Sequence, residues 1–175
     1  DEKAVNWRDV ESTADEVRAL GRRALTATVD VTNLDHVQNM IDAAVTEFGR
    51  VDILVNNAAF ARGADRVPVA DLSSELFDLV MNIKVTGTFN CTKAFMNQIT
   101  KQGEGGKIVN ISSSAGKRGS ANTLAYNAAN FAIVGMTQSM AREFGPMGVN
   151  VNCVCPGAVD THRMDDLGRG DRWDS

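Results

Sequence analysis

An α/β fold built on a parallel sheet is what this sequence predicts, and three observations carry the prediction. Stretches with apolar residues at helical spacing alternate with short apolar runs along the chain, the order expected of βαβ units. A run such as Val51 to Val55 is nearly continuous in apolar residues, as a strand buried inside a parallel sheet is. Four strand exits carry small or polar residues: Asp30-Val31-Thr32, Asn56-Asn57-Ala58-Ala59, Ser112-Ser113-Ser114 and Pro156-Gly157-Ala158. In open α/β sheets ligands sit beyond these carboxyl ends.

The elements follow in order. Residues 9–20 place Val10, Ala14, Val17 and Leu20 at helical spacing, and Gly21 ends the run. Residues 24–31 alternate and read as a strand. Asn33 is placed to cap a helix whose buried face is Val37, Met40, Ile41, Ala44, Val45 and Phe48, with Gly49 as its stop. Val51 to Val55 is a strand, and residues 60–70 are a polar loop. Leu72 to Lys101 is a long helical stretch with a break expected near Asn82. Lys107 to Ser112 is a strand, Thr123 to Phe144 a helix, and Gly148 to Val154 a final strand. No repeat, low-complexity tract or linker divides the 175 residues, so one domain spanning 1–175 is expected.

Composition narrows the function classes. The hydrophobic fraction of 43% suits a folded protein. A net charge of -4 without a Lys/Arg cluster gives no footprint for nucleic acid. No apolar run approaches the ~20 residues that a membrane helix needs. Asp1-Glu2-Lys3 does not read as the start of a signal peptide. Cys91, Cys153 and Cys155 are too few and too odd for a disulfide framework, so a cytoplasmic location with reduced thiols is expected. Cys153 and Cys155 share one face of a strand, where core packing is favoured over a metal pair. No metal site is expected.

Chemistry concentrates at one edge. Tyr126 is the only tyrosine and lies near the start of a helix; Ser113 lies thirteen residues earlier, at a strand end. A strand end and the helix leaving the same edge can bring two hydroxyls together over the crevice. Four residues beyond Tyr126, on the same helical face, stands Asn130.

At this point the sequence resembles the short-chain dehydrogenase/reductase family. Asn56-Asn57-Ala58-Ala59 is similar to that family's Asn-Asn-Ala-Gly motif. Asn82 resembles its helix Asn. Ser113 and Tyr126 resemble its catalytic Ser and the Tyr of Tyr-x-x-x-Lys. Pro156-Gly157-Ala158-Val159-Asp160-Thr161 resembles its Pro-Gly segment. The resemblance implies a Rossmann-like doubly wound sheet and an NAD- or NADP-dependent oxidoreductase acting on a small alcohol or carbonyl compound. It implies catalytic roles at Asn82, Ser113, Tyr126 and position 130. It implies cofactor contacts at Asp30, Val31, Asn56, Ala58, Ala59, Tyr126, Pro156, Gly157, Val159 and Thr161.

One departure stands out. The family's Lys holds the nicotinamide ribose and stabilises the tyrosinate, and here that position is Asn130. A neutral amide cannot supply that charge, which would be worth roughly 3–4 kcal/mol for a shift of about two to three units. Impaired hydride transfer is therefore expected. A catalytically inactive dinucleotide-binding or scaffold relative is the alternative. Lys117 and Arg118 read as solvated loop cations, and Lys84 should leave its helix on a different face from Asn82.

The resemblance also implies a first strand, a Gly-rich turn and a second strand before residue 9, and a last strand and lid after Ser175. The sequence is therefore expected to be an incomplete portion of a longer protein. In the family's strand order, the strands at 24–31 and 51–55 are not neighbours. Either a gap, direct pairing of the two, or another chain between them is expected. A homodimer or homotetramer through helices 82–101 and 123–144 is implied, with Ala125, Ala128, Ala129, Ala132 and Gly135 facing either the partner or the sheet.

Overall fold

The computed structural model describes residues 9–60 and 63–159. The chain divides into two compact units, and each is taken by itself. Residues 9–28, with 158 and 159, belong to the first; residues 29–157 form the second.

In the first unit, α1 (Val10–Ala19) is started by Asp9, whose carboxylate accepts from the Ser12 backbone N–H at 2.8 Å in a capping box. Gly21, at φ 72, donates to the Arg18 carbonyl and closes the helix. Ala14 is buried, whereas Val10 and Leu20 are exposed.

Residues 24–31 form no strand, contrary to expectation. Alternation is necessary for a strand, but a strand exists only through its ladder, and these backbone groups find other partners. The Ala24 carbonyl accepts from the Arg18 guanidinium, and the Thr26 hydroxyl bonds the Glu11 carboxylate. In the second unit, the Val31 and Thr32 carbonyls accept from Asn90 Nδ2 at 3.0 and 3.1 Å.

The second unit is built on a three-stranded parallel sheet in the order β1 (Ile53–Asn56), β2 (Gly106–Ile111), β3 (Val149–Val154). Leu54, Ile108 and Val151 sit in one buried row across all three strands. Ile53, Val55 and Val154 are about half exposed, while Leu54 and Asn56 are buried, so the described residues cover the Leu54 face of β1. The helices on the covered side are α2 (Leu34–Phe48), α4 (Gly87–Gln102) and α5 (Leu124–Phe144). Helix α2 packs on α4, α4 on β1 and β2, and α5 on β2 and β3.

The caps read from the sequence are present. Asn33 accepts from the backbone N–H groups of Asp35 and His36 at the start of α2, and Gly49, at φ 87, ends it. Val37 and Ile41 are buried, but Phe48, at the helix end, is exposed. Asn90 sits where α4 meets the 31–32 segment. There Gly87 is required, because a Cβ would lie 2.6 Å from Val31 Cγ2.

The expected break near Asn82 is instead a single π-helical turn. Ser73 caps α3 (Ser74–Met81), which runs through the π turn Asn82–Thr86 directly into α4. A π turn inserts a residue into the helical repeat and resets which face looks inward. Asn82 is exposed, and its carboxamide oxygen accepts from the Thr86 hydroxyl at 3.4 Å. Lys84 is only 5% exposed.

Helix α5 decides between the two faces proposed for its small residues. Ala125 and Ala129 are fully buried in a cluster with Val80, flanked by Met81 and Val85. They face this chain's own fold. Gly135 is exposed, and Ala128 and Ala132 are half-buried.

Candidate functional site

A ladder of buried amides and hydroxyls supports the carboxyl ends of β1 and β2. Asn56 Nδ2 donates to Asn110 Oδ1 at 2.9 Å and lies 3.3 Å from the Thr92 hydroxyl. Asn110, fully buried, donates to Thr137 Oγ1 at 2.9 Å, and that hydroxyl donates to the Ile133 carbonyl. Three elements, β1, β2 and α5, are thus fixed relative to one another just below the strand exits. Satisfied buried networks of this kind specify one arrangement. Asn56, read from sequence as a cofactor contact, therefore has a structural engagement that its motif did not disclose.

Above the ladder the three exits are small. Ala58 and Ala59 are exposed after β1. Ser113 follows β2, and Pro156 and Gly157 follow β3. The Ser112 N–H donates to the Val154 carbonyl and the Ser114 N–H to the Pro156 carbonyl, both at 2.8 Å. These bonds carry the pairing of β2 and β3 past the ends of the strands. A Cβ added at Gly157 would meet nothing within 4 Å, so this rim is open. The carboxyl ends of the strands are where open parallel sheets bind ligands.

Ser113 starts the short 3-10 turn Ser114–Gly116 and accepts from the Ala115 N–H at 3.2 Å. A hydroxyl carries one donor and two lone pairs, so its O–H remains to donate. Tyr126 lies in the first turn of α5 and is half-buried. The loop between them is held by Thr123, whose hydroxyl lies 2.9 Å from the Ser120 carbonyl and 2.8 Å from Asn127 Oδ1, and by Asn127, which donates to the Arg118 carbonyl at 3.1 Å. Lys117 and Arg118 themselves are exposed.

Asn130 does not reach outward. It is 2% exposed, and its Nδ2 donates to the Tyr126 carbonyl at 2.8 Å. The Ser112 hydroxyl donates to the Asn130 carbonyl at 2.9 Å and lies 3.4 Å from Asn130 Oδ1. The residue one turn beyond Tyr126 is thus tied to backbone and to the β2 exit. Ser112, the serine that spacing passed over, is its partner.

Other candidates are spread more widely. Asp30 is exposed and accepts from the Thr32 N–H and hydroxyl, and these bonds hold its carboxyl below the usual range. Val31 is half-buried beside α4. Val159, in the first unit, is exposed. Thr161 lies outside the described residues. The sulfurs of Cys153 and Cys155 are 3.8 Å apart, and among the described residues no group of three or more His, Cys, Asp or Glu is gathered to hold a metal ion.

Two cations lie near α5: one that the sequence had placed on a helix face apart from Asn82, and one that it did not single out. Lys84 is on the π turn that packs against α5. Arg66, in the loop after β1, has its guanidinium carbon 5.0 Å from the centroid of the Tyr126 ring. No spacing rule would have found either. One depends on the π turn, the other on how a long loop folds back.

Comparison with known proteins bears on the family and the fold. A family model described as short chain dehydrogenase matches residues 4–171. A 2-dehydro-3-deoxy-D-gluconate 5-dehydrogenase of Dickeya dadantii (strain 3937) is 36% identical over 163 residues, which cover 93% of this chain and 63% of that protein. A (2S)-[(R)-hydroxy(phenyl)methyl]succinyl-CoA dehydrogenase subunit of Thauera aromatica is 39% identical over 96% of this chain and 66% of its own length. Among solved structures, an NAD+-bound xylitol dehydrogenase superposes with a TM-score of 0.84 at 32% identity, over 95% of this chain and 64% of that one. The chain spans a little under two thirds of the length of these relatives.

Proposed function

Since this chain belongs to the short-chain dehydrogenase family, we propose that the whole protein interconverts a small alcohol and its carbonyl compound with NAD or NADP, using Tyr126 as the general acid/base. The observation that supports this best is the placement of Tyr126 and Ser113 on the elements that flank one open strand-exit rim. Tyr126 exchanges a proton with the substrate oxygen. Ser113, with its lone pair engaged by the Ala115 N–H, donates its O–H to the same oxygen. The exposed alanines after β1 and the Pro156-Gly157 segment leave room for the nicotinamide end, and Asp30 and Val31 line the adenine side. The bound dinucleotide supplies or accepts the hydride. Asn82 is retained as a positioning candidate only, since its exposed carboxamide engages Thr86.

One observation favours the second reading, a dinucleotide-binding relative that has lost turnover. Asn130 is neutral, buried and bonded to the Tyr126 carbonyl, so it brings no charge to the tyrosine. The experiment is hydride transfer in the complete protein over a panel of ketones and alcohols, beside calorimetric cofactor binding. Slow turnover that rises roughly 100-fold or more in Asn130→Lys supports the enzyme reading, an increase equivalent to about 3 kcal/mol. Cofactor binding with no turnover in either protein supports the second reading.

A second copy of this chain is proposed to cover the groove between α4 and α5. That groove has a volume of about 510 Å³ and is lined by Phe89, Met96, Met136, Met140 and Phe144 among others. Phe89 and Phe131 are each about half exposed on these helices. Sedimentation of the complete protein as a monomer would remove this assembly.

A further inference from the structure

We infer that Arg66 is an anion receptor beside the reacting oxygen, and that the substrate is a hydroxy- or oxo-carboxylate whose acid group lies within a few atoms of the reacting carbon. The inference rests on the reading of Tyr126 as the proton-exchanging group.

Two observations place Arg66 in this role. Its guanidinium lies over the Tyr126 ring, 5.0 Å from carbon to centroid, and its Nε is buried without a hydrogen-bond partner. Each alone is ordinary: cation–ring contacts are common, and surface arginines often point into water. Together they describe an Nε donor removed from water, without a hydrogen-bond partner among the described residues, on a guanidinium held against the residue that exchanges a proton. A buried N–H left unsatisfied costs free energy comparable to a lost hydrogen bond, more when the group is charged, and calls for an explanation.

The chemistry of the group selects the ligand. Guanidinium presents donors in a rigid planar fork that matches a carboxylate bidentately. The contact with the ring keeps that fork beside Tyr126. Asp65, the adjacent acid, is buried, but no ion pair to Arg66 forms among the described residues. The fork is left for an external acid. In a chain of net charge -4, an uncompensated buried-side cation at the mouth of the site would also favour an anionic substrate over a neutral one. A neutral ketone would leave Nε unpaired, and sites built to bond a charged group discriminate strongly against analogues that lack it.

The test compares acetoacetate with methyl acetoacetate, which differ by that charge, on the complete protein in the presence of NAD. Both partners are then oxidised, so binding is read without turnover. Binding is followed by calorimetry and by the tyrosine difference spectrum, with the Tyr126→Phe protein as the reference that assigns the signal to Tyr126. Acetoacetate is expected to bind at least 10-fold more tightly than the ester and to perturb the tyrosine spectrum. Arg66→Gln is expected to abolish that preference, and Arg66→Lys to retain part of it. Equal binding of acid and ester to the unaltered protein, or no saturable binding of acetoacetate, would overturn the inference whether or not the variants fold. Charge-dependent binding without hydride transfer in the separate assay would leave Arg66 standing and sink the oxidoreductase reading. Equal turnover of acid and ester would do the reverse.

Discussion

Two residues flank Tyr126 in opposite conditions. At position 130, a buried amide is closed on itself: it bonds the Tyr126 carbonyl, and Ser112 bonds its backbone. At position 66, a guanidinium lies over the tyrosine ring, and its buried Nε has no hydrogen-bond partner among the described residues. The first arrangement is complete without a ligand and stabilises the fold. The second is incomplete without one, and its free energy is realised only in a complex. Residues of the first kind change stability when removed, and residues of the second kind change binding.

That contrast can be broken in several places. The largest effect is expected at Gly116, where a Cβ would lie 2.6 Å from Ser112 Oγ and 2.7 Å from the Asn130 carbonyl oxygen. Gly116→Ala must push the turn off the helix and should cost about 3 kcal/mol in denaturant unfolding; a loss under about 1 kcal/mol would mean the closed side is loose. Asn130→Ala removes the bond to the Tyr126 carbonyl and leaves a small void, for about 2 kcal/mol. If its thermal midpoint matched that of the parent, position 130 would not be structural.

Arg66→Ala should behave differently. The lost ring contact and the removed orphan donor oppose each other, so the net change should stay within about 1 kcal/mol. A destabilisation as large as that of Asn130→Ala would erase the contrast. The smallest effect belongs to Asp30, whose lowered carboxyl pKa reflects its bonds from Thr32. A lowered folded pKa contributes stability above the unfolded value and loses it as pH falls through the folded one. The loss is therefore confined to the acid limb, below about pH 4. Thr32→Val should raise the Asp30 midpoint in an NMR titration; an unchanged midpoint would mean these bonds do not form in solution.

Much of the fold could be read directly. Asn33 with Gly49 bounded α2, and the apolar runs marked β1, β2 and β3 within a residue or two, because caps and alternation act locally. The segment 24–31 could not be read the same way. Its alternation is real, but a strand also needs a neighbour, and its carbonyls went to Asn90 and Arg18 instead. At the candidate site, the proposal of Ser113 and Tyr126 came from a motif. The engagement of Asn56 with Asn110 and the choice of Ser112 as the partner of Asn130 were not legible, since each depends on which atoms adjoining elements bring together. Lys84 was assigned to another face from Asn82, correctly, but that face proved to be the buried one once the π turn reset the helix.

By itself the sequence determined the α/β alternation, the helix caps, the family resemblance and the neutral residue one turn beyond Tyr126, because these depend on residue type and short spacing. Only the tertiary structure decided that Asn130 is closed, that Asn56 bonds Asn110, and that Arg66 arrives over the tyrosine with a donor to spare. Those outcomes depend on how segments distant in sequence pack and share a limited set of hydrogen-bond partners, and no local pattern encodes that competition.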